Sequence, residues 1–153
     1  MHYLVRHGDA GNKREWTGPD HARPLSRRGR FEADALVDLL ATFTIDRILS
    51  SPALRCRQTV EPLAGKRGMT VVSEPLLAVE ADPGRAVEVL LAGGDDVVWC
   101  THGELIRPLL SGLRDRGAPI SEAAAWPKGS VWVLETNSAR IAKATYLPPP
   151  VDR

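Results

Sequence analysis

Short apolar runs alternate with stretches of helical period along most of this chain, and that alternation constrains its fold more than any other feature. His2–Arg6 is a largely apolar run that stops at Gly8, as a buried strand would. Asp46–Ser51, Met69–Ser73 and Val97–Cys100 read the same way, and the last is fully apolar, which predicts a central strand. A Gly-, Pro- and charge-rich stretch from Gly8 to Pro24 reads as a long loop. Ser26 then has the character of an N-cap, ahead of a helix whose apolar face is expected to carry Phe31, Ala35, Leu36, Leu39 and Leu40. Pro52 suits the first turn of a helix through Leu54, Val60 and Leu63. Arg85–Leu91 is helical in period and stops at Gly93-Gly94, and Glu104–Leu113 is helical again. Ser130–Leu134 and Ile141–Tyr146 end the series as two strands joined by a short polar link, which predicts an antiparallel pair. The expected fold is α/β, a three-layer sandwich with a mainly parallel central sheet flanked by helices.

A chain of 153 residues with 43% hydrophobic and 25% charged residues has the composition of an ordinary globular protein. We expect one domain over 1–147 and a Pro-rich tail over 148–153. The net charge of +1 gives no reason to expect a nucleic-acid polymer or a membrane surface as partner. No apolar run approaches the ~20 residues that span a bilayer. The opening MHYLVRHGDA turns charged at once, unlike a signal peptide, so the expected location is cytoplasmic. Cys56 and Cys100 stand far apart in apolar surroundings and read as buried thiols. The four histidines are scattered, without HxxxH or HExxH, and there is neither a Walker A loop nor a GxGxxG fingerprint. No metal and no cofactor are expected.

In open α/β sheets ligands bind beyond the carboxyl ends of the strands. That rule singles out Arg6-His7-Gly8, the segment from Ser51 to Arg57, and Thr101-His102-Gly103. Two histidines and several arginines at such a place suit phosphoryl transfer. A neutral, oriented imidazole can attack phosphorus directly. Arginines beside it disfavour its protonation and make paired contacts to phosphoryl oxygens. Glycine after each histidine is expected to let backbone approach the phosphate without a Cβ in the way.

Four segments, in order, resemble the histidine phosphatase superfamily, also called phosphoglycerate mutase-like: LVRHGDA (Leu4–Ala10), PLSRRGRFEA (Pro24–Ala33), SSPALRCRQTVEPL (Ser51–Leu63) and WCTHGELIRPLL (Trp99–Leu110). The resemblance implies a phosphoglycerate mutase-like fold and a metal-independent phosphatase that forms a phosphohistidine on His7. It implies that Arg6, Arg55 and His102 complete the phosphate pocket. Arg55 rather than Arg57 falls on the family's arginine, and Arg57 and Gln58 read as solvated helix residues. Gly8 and Gly103 are expected to border the substrate, with Asn12, Asp9, Lys13, Arg14 and Trp16 in the loop after the nucleophile. Arg23, Arg27, Arg28 and Arg30 could draw in an anion, although the last two also suit a charged helix face. Trp99 and Trp132 read as strand core, Trp126 as core or site mouth, and His2 and His21 as incidental. Family members place an acid after the third strand, and Glu80, with Asp82 as the alternative, is the expected proton donor. The short chain is similar to compact phosphohistidine phosphatases of the SixA type. The expected partner is a phosphorylated substrate, either a phosphohistidine protein or a small phosphoester. The alternatives are a phosphatase for one metabolite or nucleotide, a phosphoglycerate-type mutase, and a non-catalytic phosphate-binding module.

Overall fold

The computed structural model describes residues 1–151. Asp152 and Arg153, the end of the expected Pro-rich tail, lie outside the described residues. The elements run β1 (His2–Arg6), α1 (Arg27–Leu39), β2 (Arg47–Ser50), α2 (Leu54–Arg67), β3 (Val71–Ser73), α3 (Pro83–Ala92), β4 (Val97–Thr101), α4 (Gly103–Asp115), β5 (Val131–Asn137) and β6 (Arg140–Leu147), with 3₁₀ turns at Asp20–Ala22 and Pro75–Leu77. One six-stranded sheet has the order β3-β2-β4-β1-β5-β6. β1 to β4 are mutually parallel, while β5 runs antiparallel to β1 and pairs antiparallel with β6. The expected α/β sandwich and its terminal antiparallel pair are both present. No helix of the described residues is long and apolar enough to cross a membrane.

The period-2 alternation of the central strands divides the core between the two faces of the sheet. Leu4, Val97, Trp99, Trp132 and Leu134 pack on one face with Val87 and Leu90 of α3 and Ile106 and Leu109 of α4. Tyr3, Val5, Val98, Cys100 and Val133 pack on the other with Leu36 of α1 and Val60 and Leu63 of α2. Each such side chain contributes roughly 1.5–3 kcal/mol of burial. Both cysteines are buried and free. β4 and β1 lie between these layers, so the loops at their carboxyl ends are held by the best-packed part of the fold.

Three expectations need correction. Phe31 is exposed, and α1 instead turns Gly29, Glu32, Ala33 and Leu36 inward. The side that α1 presents joins a close backbone contact and a buried carboxylate, described below, to the buried apolar side chains of Ala33 and Leu36. Pro52 lies ahead of α2, whose N-cap is Ala53. His2 is not incidental: it is fully buried, and its Nδ1 accepts a 3.0 Å hydrogen bond from Trp99 Nε1. Burial pushes it down to about 4, so it stays a neutral core residue at neutral pH.

Candidate active site

Each strand-end motif turns out of the sheet at the same edge. β1 ends at Arg6, and His7 N donates to Thr101 O (3.1 Å), which joins the first motif to the last. Ser51 N donates to Cys100 O (2.9 Å) and joins the middle one. The rings of His7 and His102 meet edge to face, with centroids 5.5 Å apart. α2 and α4, which start from this edge, have no side-chain hydrogen bond at their N-caps, Ala53 and His102. Their first amides and dipoles are thus available to favour an anion.

His7 is 5% exposed, and its Nδ1 lies 2.7 Å from Gly8 O. A carbonyl only accepts, so Nδ1 carries the proton and Nε2 keeps a bare lone pair. Burial above all, then the neighbouring His102, Arg55 and Arg6, hold His7 down to about 3, outweighing the hydrogen bond to Gly8. The imidazole is therefore neutral and oriented, the state that nucleophilic attack requires.

His102 is in the opposite situation. Arg55 Nη2 lies 3.2 Å from His102 Nδ1, and Ser51 Oγ lies 2.8 Å from Nε2. Arginine only donates, so Nδ1 accepts and Nε2–H donates to Ser51. Neither nitrogen is left as a free nucleophile. Arg6 Nη1 donates to Trp126 O (3.0 Å), which brings the Trp126 backbone to the site while Trp99 and Trp132 stay in the core. The Nε groups of both Arg6 and Arg55 are buried without a partner among the described residues. Two unpaired cationic donors in one pocket are costly unless an anion satisfies them.

The two glycines serve a purpose different from the one expected. A Cβ on Gly103 would lie 3.0 Å from Arg6 Cζ, so the missing side chain makes room for the guanidinium. A Cβ on Gly8 would lie 2.9 Å from Gly29 O, so this glycine admits α1 rather than a ligand. The fit is reciprocal, because a Cβ on Gly29 would come within 2.0 Å of Asp9 O. Ser26 fixes the same junction. It caps α1 through Gly29 N, its N–H donates to Asp9 O (2.9 Å) and its Oγ donates to Asp9 Oδ2 (2.6 Å).

Other expected site residues are not brought into hydrogen-bond contact with the pocket. Asn12 is exposed and its side-chain oxygen accepts from Arg14 N (2.9 Å). Asp9 is taken by Ser26, Gly11 N and Lys128. Lys13, Arg14, Trp16, His21, Arg27, Arg28 and Arg30 are exposed. Arg23 is buried and donates to Ala10 O (2.7 Å), so it braces the loop instead of reaching for a ligand. Arg55 is buried and Arg57 exposed, as the helical period requires, but Gln58 is not merely solvated, since it accepts from Leu25 N (2.9 Å). Asp82 caps α3 by accepting from Gly84 N. Glu80 is exposed, makes no hydrogen bond or ion pair among the described residues, and stands on the loop that Thr101 Oγ1 ties to the site through Leu77 O (2.6 Å). No group of three or more His, Cys, Asp or Glu side chains among the described residues is spaced to hold a metal ion.

Sequence reasoning missed four residues that build the site. Ser51 orients His102. Thr59 Oγ1 accepts from Gly8 N (3.0 Å) and donates to Arg55 O (2.6 Å), tying α2 to the loop that follows His7. Glu32 Oε1 accepts from Asp9 N (2.8 Å) from a buried position on α1. Asp20 Oδ2 accepts from Arg55 Nη2 (2.9 Å). Ser51, Thr59 and Glu32 lie inside quoted motifs and could have been found there, whereas Asp20 lies outside them all.

Comparison with known proteins identifies the family. The profile described as histidine phosphatase superfamily (branch 1) matches residues 2–88. An 8-oxo-(d)GTP phosphatase of Mycolicibacterium smegmatis is 36% identical over 157 residues, covering 98% of this chain and 48% of the relative. A Mycobacterium tuberculosis protein of undetermined function, Rv0525, is 32% identical over 63% of the chain and 47% of its own length. The chain thus spans about half the length of the curated relatives it matches. Among solved structures, the protein histidine phosphatase SixA complexed with tungstate superposes with a TM-score of 0.76 at 23% identity, over 95% of this chain and 93% of the other. Bacillus stearothermophilus YhfR superposes with a TM-score of 0.73 at 18% identity, over 92% and 93%. At such identities these structures speak for the fold alone. With the profile match over residues 2–88 and a relative 36% identical over 98% of this chain, the chain belongs to the histidine phosphatase superfamily.

Proposed function

We propose that this chain hydrolyses phosphomonoesters or protein phosphohistidine, without a metal, through a phosphohistidine formed on His7. The observation that carries the reading is the hydrogen bond from His7 Nδ1 to Gly8 O, which leaves Nε2 unprotonated at the centre of a cationic pocket. In the first step Nε2 attacks phosphorus, the N–P bond forms and the bond to the leaving group breaks. Arg6 and Arg55 take up the charge on the phosphoryl oxygens, with His102 held beside them by Arg55 and Ser51. In the second step water attacks phosphorus, the N–P bond breaks, and inorganic phosphate leaves with His7 restored.

An alkoxide leaves poorly unless it receives a proton, and an aryl oxide needs one less. Of the two carboxylates expected as donors, Asp82 is committed to its cap, so Glu80 is the proposed donor. Glu80→Gln is expected to slow an alkyl phosphate at least about tenfold more than an aryl phosphate. Equal slowing of the two would remove Glu80 from that role.

A second reading, a nucleotide phosphatase, is favoured by the M. smegmatis relative and by Trp16. That indole is 38% exposed in the loop leading to Asp20, where a base could stack on it. Release of phosphate from an aryl phosphate, a phosphohistidine protein and a nucleotide panel, each in EDTA, tests both readings. Turnover in EDTA is expected. A strong preference for one nucleotide would select the second reading, and loss of all activity in EDTA would overturn the metal-free mechanism.

A further inference from the structure

The carboxylate that touches the pocket is one the sequence does not mark. Asp20 sits on the 3₁₀ turn Asp20–Ala22, outside the four motif segments. Arg55 Nη1 donates to its backbone carbonyl (2.8 Å) and Arg55 Nη2 to its Oδ2 (2.9 Å). Two oxygens of one residue thus fill the arginine fork as two phosphoryl oxygens would. The other carboxylate oxygen accepts from Arg23 Nε (3.3 Å), and Arg23 in turn holds Ala10 O, so the turn is braced against the loop that follows His7.

The two partners are unequally held. The Arg55 side chain is 4% exposed and that of Asp20 is 35% exposed, so the carboxylate is the partner free to move toward solvent. Arg55 Nε remains buried without a partner even in this arrangement, so Asp20 does not exhaust what the guanidinium can donate. A phosphoryl group offers three oxygens and up to two charges, where the carboxylate offers one charge.

We propose that Asp20 is a built-in competitor of the phosphoryl group, holding the Arg55 fork in the empty pocket, yielding it to an entering dianion, and retaking it as inorganic phosphate departs. This rests on the phosphoryl site proposed above and adds a residue that sets affinity and product release. It also gives the site a charge filter. Exchanging one charge for two on Arg55 gains attraction, whereas a monoanionic phosphodiester gains none, so phosphomonoesters are favoured.

The probe is inorganic phosphate, titrated calorimetrically and as a competitive inhibitor of aryl phosphate turnover. Asp20→Asn removes the charge and keeps a side-chain oxygen, and Asp20→Ala removes both. Each is expected to bind phosphate about tenfold more tightly than wild type, with a lowered KM, because a charge-assisted competitor has been lost. Asp20→Glu, which keeps the charge, is expected to return toward wild type. A merely structural Asp20 would lower the Tm and weaken phosphate binding together. If wild type turns over the aryl phosphate and phosphate binds both uncharged variants no more tightly, the competitor role is overturned and the phosphatase reading stands. If wild type neither binds phosphate nor turns over any substrate, the site reading fails and takes this proposal with it.

Discussion

Phosphate release is expected to fall by on the order of 10⁴-fold or more when His7 is replaced by alanine or asparagine, because the proposed covalent route has no second nucleophile at this site. His102 is the other imidazole of the pocket, and it cannot substitute. Its Nδ1 accepts from Arg55 and its Nε2–H is spent on Ser51, so it has no free lone pair to offer. The asparagine variant separates chemistry from folding, since its amide can still donate toward Gly8 O, where alanine leaves that carbonyl unpaired at a cost of about 1 kcal/mol. Rapid quenching with labelled substrate is expected to trap label on the wild-type chain and none on either variant. The pH profile follows from the same hydrogen bond and the same burial. With its pKa held to about 3, His7 is neutral throughout the working range, so it contributes no acid limb near its ordinary value of 6.5. The acid limb of kcat/KM instead follows the second ionisation of the substrate phosphate, near about 6, and moves when that pKa is changed. Residual turnover at a tenth of wild type in the alanine variant would overturn His7 as the nucleophile, whereas an inflection at 6.5 for every substrate would overturn only its lowered pKa.

The residues that make this argument were legible to different degrees, and for physical reasons. Strand ends show themselves because an apolar run must stop where the chain leaves the sheet, and His7, Ser51 and His102 all stand at such stops. Arg55 could be separated from Arg57 because two helical positions are about 200° apart, and only Arg55 is buried. Phe31 shows where periodicity fails. An apolar residue at helical spacing is expected inside, yet the first turns of α1 turn Gly29 and Glu32 inward beside Ala33, while Leu36 keeps its expected place. Glu32 is worth burying because it satisfies Asp9 N, and burial raises its own pKa. A pattern of apolar positions carries no trace of that exchange. Asp20 was invisible for another reason: its contact with Arg55 spans 35 positions and depends on the path of a loop, which composition leaves open. The role of Gly8 was misjudged in the same way, since the surface it approaches is supplied by a helix that begins nearly 20 residues later.

That close approach predicts the largest effect of a single methyl group in the molecule. Gly29→Ala is expected to destabilise the chain by about 3 kcal/mol or more and to lower kcat/KM at least ~100-fold. The added Cβ would stand 2.0 Å from Asp9 O and 3.0 Å from Asp9 C, both backbone atoms, so no side-chain rotation relieves the overlap. Either α1 withdraws or the segment after β1 shifts by about an ångström, and a misplacement of that size costs a catalytic group roughly 10²-fold. Withdrawal of α1 also breaks the Ser26 bonds to Asp9 and pulls Glu32 Oε1 from Asp9 N, so His7 loses its brace as well as its position. Intrinsic propensity works the other way, since alanine is favoured over glycine in a helix by up to about 1 kcal/mol. Gly65 in α2 isolates that smaller effect: it is exposed, and a Cβ there meets nothing within 4 Å. Gly65→Ala should therefore raise stability by a fraction of that amount and leave turnover unchanged. Urea denaturation of the two variants beside wild type, with aryl phosphate kinetics on each, makes the comparison. Opposite signs are expected for one and the same substitution in two helices. If Gly29→Ala were as stable and active as wild type, the backbone contact between α1 and the nucleophile loop could not be what holds His7 in place.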